Sequence, residues 1–272
     1  MPEATSLEAL LDELWAEYLA TTPEAKRIHD LLVARGERVV NDHIALRTLD
    51  LPGIGVDALA RPFVESGYVA RGRYEFPEKK LVARHYEPPR PGLPKIFVSE
   101  LETAKLDPGT RGLLRSLVDT MDPALSARFD TCRIGRPWEV SYATYRRLAT
   151  ASDYAAWVAA FGFRPNHFTV DVNALATFAT IAELNEFLER HGFVLNAAGG
   201  KVKGSPAALL EQSSVLAGRV AVRFSDGSYL VPGCYYEFAR RYPGPDGELY
   251  QGFVAASADK LFESTQGGRP AA

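Results

Sequence analysis

The chain has 272 residues, a net charge of -3, and 46% hydrophobic against 24% charged residues. That composition belongs to globular proteins and excludes extended disorder; the near-balanced charge leaves no basic footprint for a nucleic-acid backbone. The basic pairs Lys79-Lys80, Arg146-Arg147 and Arg240-Arg241 are short and scattered, as on a solvated face, so nucleic acid is not an expected partner.

Two cysteines, Cys132 and Cys234, occur without a CxxC, a usage that suits a reducing compartment. Between Met1 and Ala20 stand Glu3, Glu8, Asp12, Glu13 and Glu17, an acidity at odds with a secretory or transit peptide. No apolar run reaches membrane-spanning length. A cytoplasmic protein without membrane contact is expected.

Leu7, Leu10, Leu11, Leu14, Trp15 and Tyr18 recur at helical spacing over 5–20, and a second helix runs through His29, Leu31, Leu32 and Val33 to Gly36. Val39 to Leu49 then reads as a strand, Val56 to Ser66 as a helix ended by Gly67, and Tyr68 as the start of another strand. Extended stretches follow at 80–86 and 95–101. Residues 105–160 read as a helical insert broken at Gly135 and Pro137. At Asn166-His167-Phe168-Thr169-Val170-Asp171-Val172 the earlier pattern returns: a strand bearing a histidine, a helix from Ile181 to His191, then Gly192 and Phe193 opening a new strand.

The interval from His43 to Gly67 is 24 residues (67 − 43), and from His167 to Gly192 it is 25 (192 − 167). A strand-helix-Gly-aromatic unit at matched spacing indicates internal duplication. The second copy continues through Arg219–Phe224, an Asp226-Gly227 hairpin turn, and Gly233–Arg240. The expected class is α+β, with two βαβββ units forming a shared half-barrel cleft. The expected organisation is one catalytic domain over 1–272: N-terminal helices 1–38, first unit 39–104, helical insert 105–160, second unit and C-terminal segment 161–264, and tail 265–272.

Equivalent residues of two such units face each other across the cleft. Their first strands supply His43 and His167, and their last strands supply Glu100 and Glu237. Two imidazoles and a carboxylate on adjacent corners make the facial arrangement that binds Fe(II) and leaves positions open for substrate and oxygen. A lone strand histidine is more often a hydrogen-bonded core or surface residue than a ligand; two at repeat-equivalent positions tilt the balance toward a metal. A glutamate in an apolar strand points the same way, because a buried carboxylate must be paired or coordinated. His85 can also face the cleft, whereas His29 and His191 lie in helices and are read as solvent-facing. Cys234 reads as a buried, inert thiol. Strand alternation puts His43, Ala45 and Arg47 on one face, where an arginine can grip a remote carboxylate or, equally, pair with a surface acid.

His43-Ile44-Ala45-Leu46-Arg47-Thr48, Tyr74-Glu75-Phe76-Pro77-Glu78-Lys79-Lys80, Ala83-Arg84-His85-Tyr86, Lys203-Gly204-Ser205-Pro206, Leu210-Glu211-Gln212-Ser213-Ser214 and the stretch from Ala256 to Ser264 together carry a resemblance. From about Asp42 to Ser264 the chain resembles a short form of the 2-oxoadipate dioxygenase/decarboxylase (hydroxyglutarate synthase) family, related to the vicinal-oxygen-chelate fold. The resemblance implies Fe(II) held by His43, His167 and Glu237, with Zn, Ni or Mn as substitutes. It implies that Arg47 binds substrate, and it matches Ser257 to a substrate-contacting serine. The implied partners are a 2-oxo diacid and O2, with 2-oxoadipate giving 2-hydroxyglutarate and CO2, and a role in lysine breakdown by analogy. Two other readings stand beside it. A glyoxalase-like isomerase or lyase would use Glu100 as a fourth ligand to Zn or Ni; a non-catalytic binding protein would keep the cleft alone.

Overall fold

A computed structural model describes residues 6–266. The first five residues and most of the expected tail, 267–272, lie outside the described residues. Helix α1 (Leu7–Thr21) begins where Ser6 accepts a hydrogen bond from the Ala9 amide, a cap worth about 1 kcal/mol. Its buried face, Leu10, Leu14 and Tyr18, repeats at helical spacing. Helix α2 (Pro23–Ala34) starts at a proline, which has no amide hydrogen to leave unpaired at that position.

The chain then builds strand β1 (Asn41–Leu49), helix α3 (Val56–Glu65), and strands β2 (Val69–Phe76), β3 (Leu81–Glu87) and β4 (Lys95–Leu101). Gly67, at φ +91°, turns the end of α3 into β2 in a left-handed conformation that a Cβ would strain. The insert follows as α4 (Pro108–Val118), α5 (Pro123–Ser126), α6 (Tyr142–Ala151) and α7 (Asp153–Phe161). The second unit comprises β5 (Pro165–Asp171), α8 (Ile181–Arg190), β6 (Lys203–Ser205), β7 (Leu210–Ser214), the hairpin β8 (Arg219–Phe224) and β9 (Gly227–Pro232), and β10 (Tyr235–Arg241). Helix α9 (Ala255–Leu261) and a 3₁₀ turn (Phe262–Gln266) close the described chain. No helix of the described residues is long and apolar enough to cross a membrane.

Eight strands form one curled sheet in the order β2-β3-β4-β1-β5-β10-β7-β6. Each half contributes four: β1, β2, β3 and β4 from the first, β5, β6, β7 and β10 from the second. The α+β class and the pair of βαβββ units around one cleft are as the sequence implies. The halves meet at antiparallel β1 and β5, where His43 lies opposite Thr169, Ile44 opposite Phe168, and Ala45 opposite His167. A pseudo-twofold axis therefore passes between Ile44 and Phe168 and relates residues 124 apart (168 − 44), which makes His43 and His167 true equivalents.

Two expectations are corrected. Gly192 and Phe193 open no strand; from there the chain runs as a loop joined to the second half by an isolated bridge, Leu195 to Val215, and by Lys203, whose ammonium donates to the Asn196 carbonyl. Asn196 ties this loop to the C-terminal segment, donating to the Lys260 carbonyl and to Ser264, while Gly199 and Gly200 turn it with positive φ. The hairpin β8–β9 likewise stands apart as its own two-stranded sheet. Its exposed, alternating residues pack through Phe224 and Tyr229 onto Tyr142 and Tyr145 of α6, with Tyr142 and Tyr229 stacked at 3.8 Å. The hairpin turns at Ser225 and Asp226, with Gly227 already paired to Phe224.

Candidate metal centre

Pleat alternation sorts β1, β5 and β10 into two faces. Phe168 and Tyr236 turn toward α1, where Trp15 and Tyr18 pack on them at 4.8–6.2 Å between ring centroids. His43, His167 and Glu237 turn the other way, into the cleft. The structure brings all three together, buried, with their ligating atoms within 4.8 Å of one another. Nε2 of His43 lies 3.5 Å from Glu237 Oε1, and Nε2 of His167 lies 3.2 Å from Oε2.

The surrounding contacts aim these groups. His43 Nδ1 lies 2.7 Å from Asp42 Oδ1, and Asp42 is clamped by Arg241 through Nε at 2.6 Å and Nη2 at 2.9 Å. His167 Nδ1 faces Asn166 Oδ1 at 3.2 Å, and the Tyr235 ring stacks on the imidazole at 4.4 Å. Gln212 Nε2 donates to Glu237 Oε1 at 2.6 Å, and the Thr169 hydroxyl sits 3.0 Å from His43 Nε2. The Phe253 ring packs edge-on to His43 at 4.8 Å and keeps water from that side. With Nδ1 of each histidine engaged, each Nε2 is left to face Glu237, the nitrogen a metal would take, although the Thr169 hydroxyl also reaches that of His43.

Burial pushes Glu237 up to about 8, its hydrogen bond from Gln212 and the Lys203 and Arg241 charges notwithstanding. Burial also lowers His43 and drives His167 well below the ordinary histidine value, the neighbouring His43 and Arg47 charges adding to the latter. Neutral imidazoles beside a carboxylate that lacks a cation of its own fit a divalent metal, which would restore the carboxylate's charge. The metal-free protein should therefore lose stability as pH rises from 6.5 to 8. In that window the unfolded glutamate is already ionised while folded Glu237 keeps much of its proton. This release on unfolding outweighs the smaller uptake by His43 and His167, which are neutral in the fold and partly protonated near pH 6.5 once unfolded. Added zinc should stabilise more at pH 8 than at pH 6.5; thermal melts with and without the metal at both values check this, and equal shifts would remove Glu237 from the site.

Arg47 lines the same cleft. Its guanidinium is buried among Tyr154, Trp157 and Phe262 at 5.0–5.6 Å, and Nη2 donates to the Thr265 hydroxyl at 2.9 Å. Among the described residues no carboxylate lies within ion-pair distance of it, so the plainer expectation of an arginine paired with a surface acid fails. Arg47 also borders a neighbouring cavity of about 250 Å³, together with Lys79, Lys80 and Thr265.

The other candidates fall outside the cluster. Glu100 is not the counterpart of Glu237. Register sets Phe97 opposite Ala45 and Glu237 opposite Thr169, so the twofold pairs Glu237 with Phe97. Glu100 instead accepts the Val56 amide at the start of α3, which removes the fourth ligand that a glyoxalase-like site needs. His85 is buried but spends Nδ1 on Tyr74, and Phe253 packs against it as well as against His43. His29 is half-buried against Trp15 rather than solvent-facing, whereas His191 is exposed. Cys234 is a buried free thiol, as expected. Ser257 is buried on α9 near Gly204, where a Cβ would sit 3.3 Å from its hydroxyl; Ala258, Leu261 and Phe262 line the cleft beside it. Asp42, Gln212, Tyr235 and Phe253 were missed. Asp42, adjacent to His43, and Gln212, inside one of the stretches that carry the resemblance, had a signal in the sequence; Tyr235 and Phe253 had none.

The model of the 2-oxoadipate dioxygenase/decarboxylase family matches residues 1–123 and 118–245. This chain belongs to that family. The 2-oxoadipate dioxygenase/decarboxylase of Oryza sativa chloroplasts and amyloplasts is 34% identical over 274 residues, covering 91% of this chain and 75% of that one. The crystal structure of Oryza sativa hydroxyglutarate synthase in complex with 2-oxoadipate superposes with a TM-score of 0.89 at 31% identity, over 97% of this chain and 96% of that one. A Shewanella frigidimarina protein described as a hydrolase superposes with a TM-score of 0.88 at 47% identity, over 94% of this chain and all of that one. Residues from three of the stretches that carry the resemblance line one cleft. β1 brings His43 and Arg47, β7 brings Gln212, and α9 with its 3₁₀ turn closes over them.

Proposed function

We propose that this family member is an Fe(II)-dependent enzyme that converts 2-oxoadipate and O2 to 2-hydroxyglutarate and CO2. His43, His167 and Glu237 are the metal ligands in this reading, and Arg47 is the substrate anchor. The observation that carries it is Arg47: a buried guanidinium without a carboxylate partner among the described residues, in the cleft that holds the ligand cluster. Burying an unpaired charge is costly, and a substrate carboxylate arriving there would offset the cost. A diacid fits, one end at the metal and the other at Arg47.

When bound, iron supplies the redox chemistry with O2, whose two atoms end in the new carboxylate and the new hydroxyl as the old carboxyl leaves as CO2. The protein's part is placement. Thr265 and the aromatic box hold the Arg47 fork, Gln212 fixes the Glu237 carboxylate, and Phe97 and Phe253 keep water from the reacting carbon. Ser257 stands in the helix that walls the cleft, where a contact with bound substrate is part of the same proposal.

Anaerobic loading with Fe(II), followed by 2-oxoadipate in an oxygen electrode, tests the reading. One O2 consumed per 2-hydroxyglutarate and CO2 formed is expected. Turnover of a 2-oxo acid without oxygen uptake would replace it with a lyase or isomerase, and hydrolysis without oxygen uptake would favour the hydrolase description of the Shewanella relative.

A further inference from the structure

The pseudo-twofold that equates His43 with His167 also equates the residues before them, Asp42 and Asn166. Both touch the Nδ1 of the following histidine through Oδ1, at 2.7 and 3.2 Å. Either acceptor fixes the tautomer that frees Nε2, so the second half performs this task with a neutral amide. The first half uses a carboxylate, and it buries that carboxylate in a fully enclosed ion pair with Arg241. Arg241 is itself held by the Tyr250 and Gly252 carbonyls and lies over the Phe253 ring. Such a pair brings desolvation costs that its attraction barely offsets, so stability does not account for it. Orientation does not require it either, as Asn166 shows.

We propose that Asp42, clamped by Arg241, makes His43 the stronger of two unequal imidazole donors, the anchoring ligand of the metal centre, while Asn166 leaves His167 the weaker. The inference rests on the metal-centre reading above. An anionic acceptor 2.7 Å from Nδ1 draws the shared proton toward itself and sends electron density to Nε2, where the metal binds. Asp42 thus acts through His43 as a positioning and tuning residue.

The test uses the full chain stripped of metal, with zinc titrated against a competing chelator. Asp42→Asn alone would leave Arg241 buried without its partner, so the informative variant is Asp42→Asn with Arg241→Gln, which replaces that ion pair by neutral amides and leaves Lys95, 4.0 Å from Asp42, as the one cation there among the described residues. Its zinc dissociation constant should rise roughly 10- to 100-fold while the melting temperature of the metal-free protein changes little. Asn166→Ala should weaken zinc binding by a clearly smaller factor. Wild-type affinity in the double variant, or an equal loss in Asn166→Ala, would overturn the proposal. A measurement without substitutions guards against a variant that fails to fold: in the zinc-loaded wild type, the Nδ1 proton of His43 should resonate well downfield of that of His167, and equal shifts would overturn the proposal. A wild-type protein that takes up no zinc would instead overturn the metal-centre reading itself.

Discussion

His167→Ala is expected to abolish turnover and metal uptake while the protein stays folded. Among the described residues the cluster supplies three ligating groups, and removing one leaves two, too few to hold a divalent ion against water. The fold should tolerate the loss because the polar contacts of His167 among the described residues are confined to the site, Asn166 and Glu237, and the space it leaves lies against Tyr235 at the cleft wall. Circular dichroism and a thermal melt report the fold, and metal analysis of the purified variant reports the site. Glu100→Gln serves as the control. Its carboxylate only accepts the Val56 amide, a task the glutamine oxygen can perform, so iron content and rate should stay near wild type. Full iron content in His167→Ala, or its loss in Glu100→Gln, would break the assignment.

Arg47→Ala should keep its metal and lose most of its activity on 2-oxoadipate. Removing one partner of a desolvated charge pair costs about 2–5 kcal/mol, which corresponds to roughly 30- to 4,000-fold in kcat/KM. A 2-oxo acid of the same length with an apolar tail never uses the guanidinium and should suffer much less. Because the guanidinium also packs against Tyr154, Trp157 and Phe262, Arg47→Met is the better-packed companion; it keeps the stem and removes only the fork. Equal losses on both substrates in both variants would reassign Arg47 to supporting the fold, and the diacid reading would fall while the metal cluster stood.

Much of this molecule was legible without coordinates because the signals are local. Apolar spacing marked α1, α3 and α8, the glycines after α3 and α8 marked their ends, and the matched intervals after His43 and His167 exposed the repeat. Pleat alternation put Arg47 on the His43 face, since that depends only on counting by two. What the amino-acid order left open was decided by pairings between distant residues. Glu100 and Glu237 look alike in sequence, each in an apolar strand; only the β1–β4 and β5–β10 registers show that Phe97, not Glu100, is the twofold mate of Glu237. The β8–β9 hairpin alternates like any sheet strand, yet the aromatic side chains of α6 draw it off the main sheet. Arg47 reads as a surface ion pair or a substrate grip with equal ease until burial around it shows which groups lie near. The link from Asp42 to Arg241 spans 199 residues and leaves no trace at either position. Spacing along a strand fixes which way a side chain points, but register across strands fixes what it meets, and that depends on where the whole chain comes to rest.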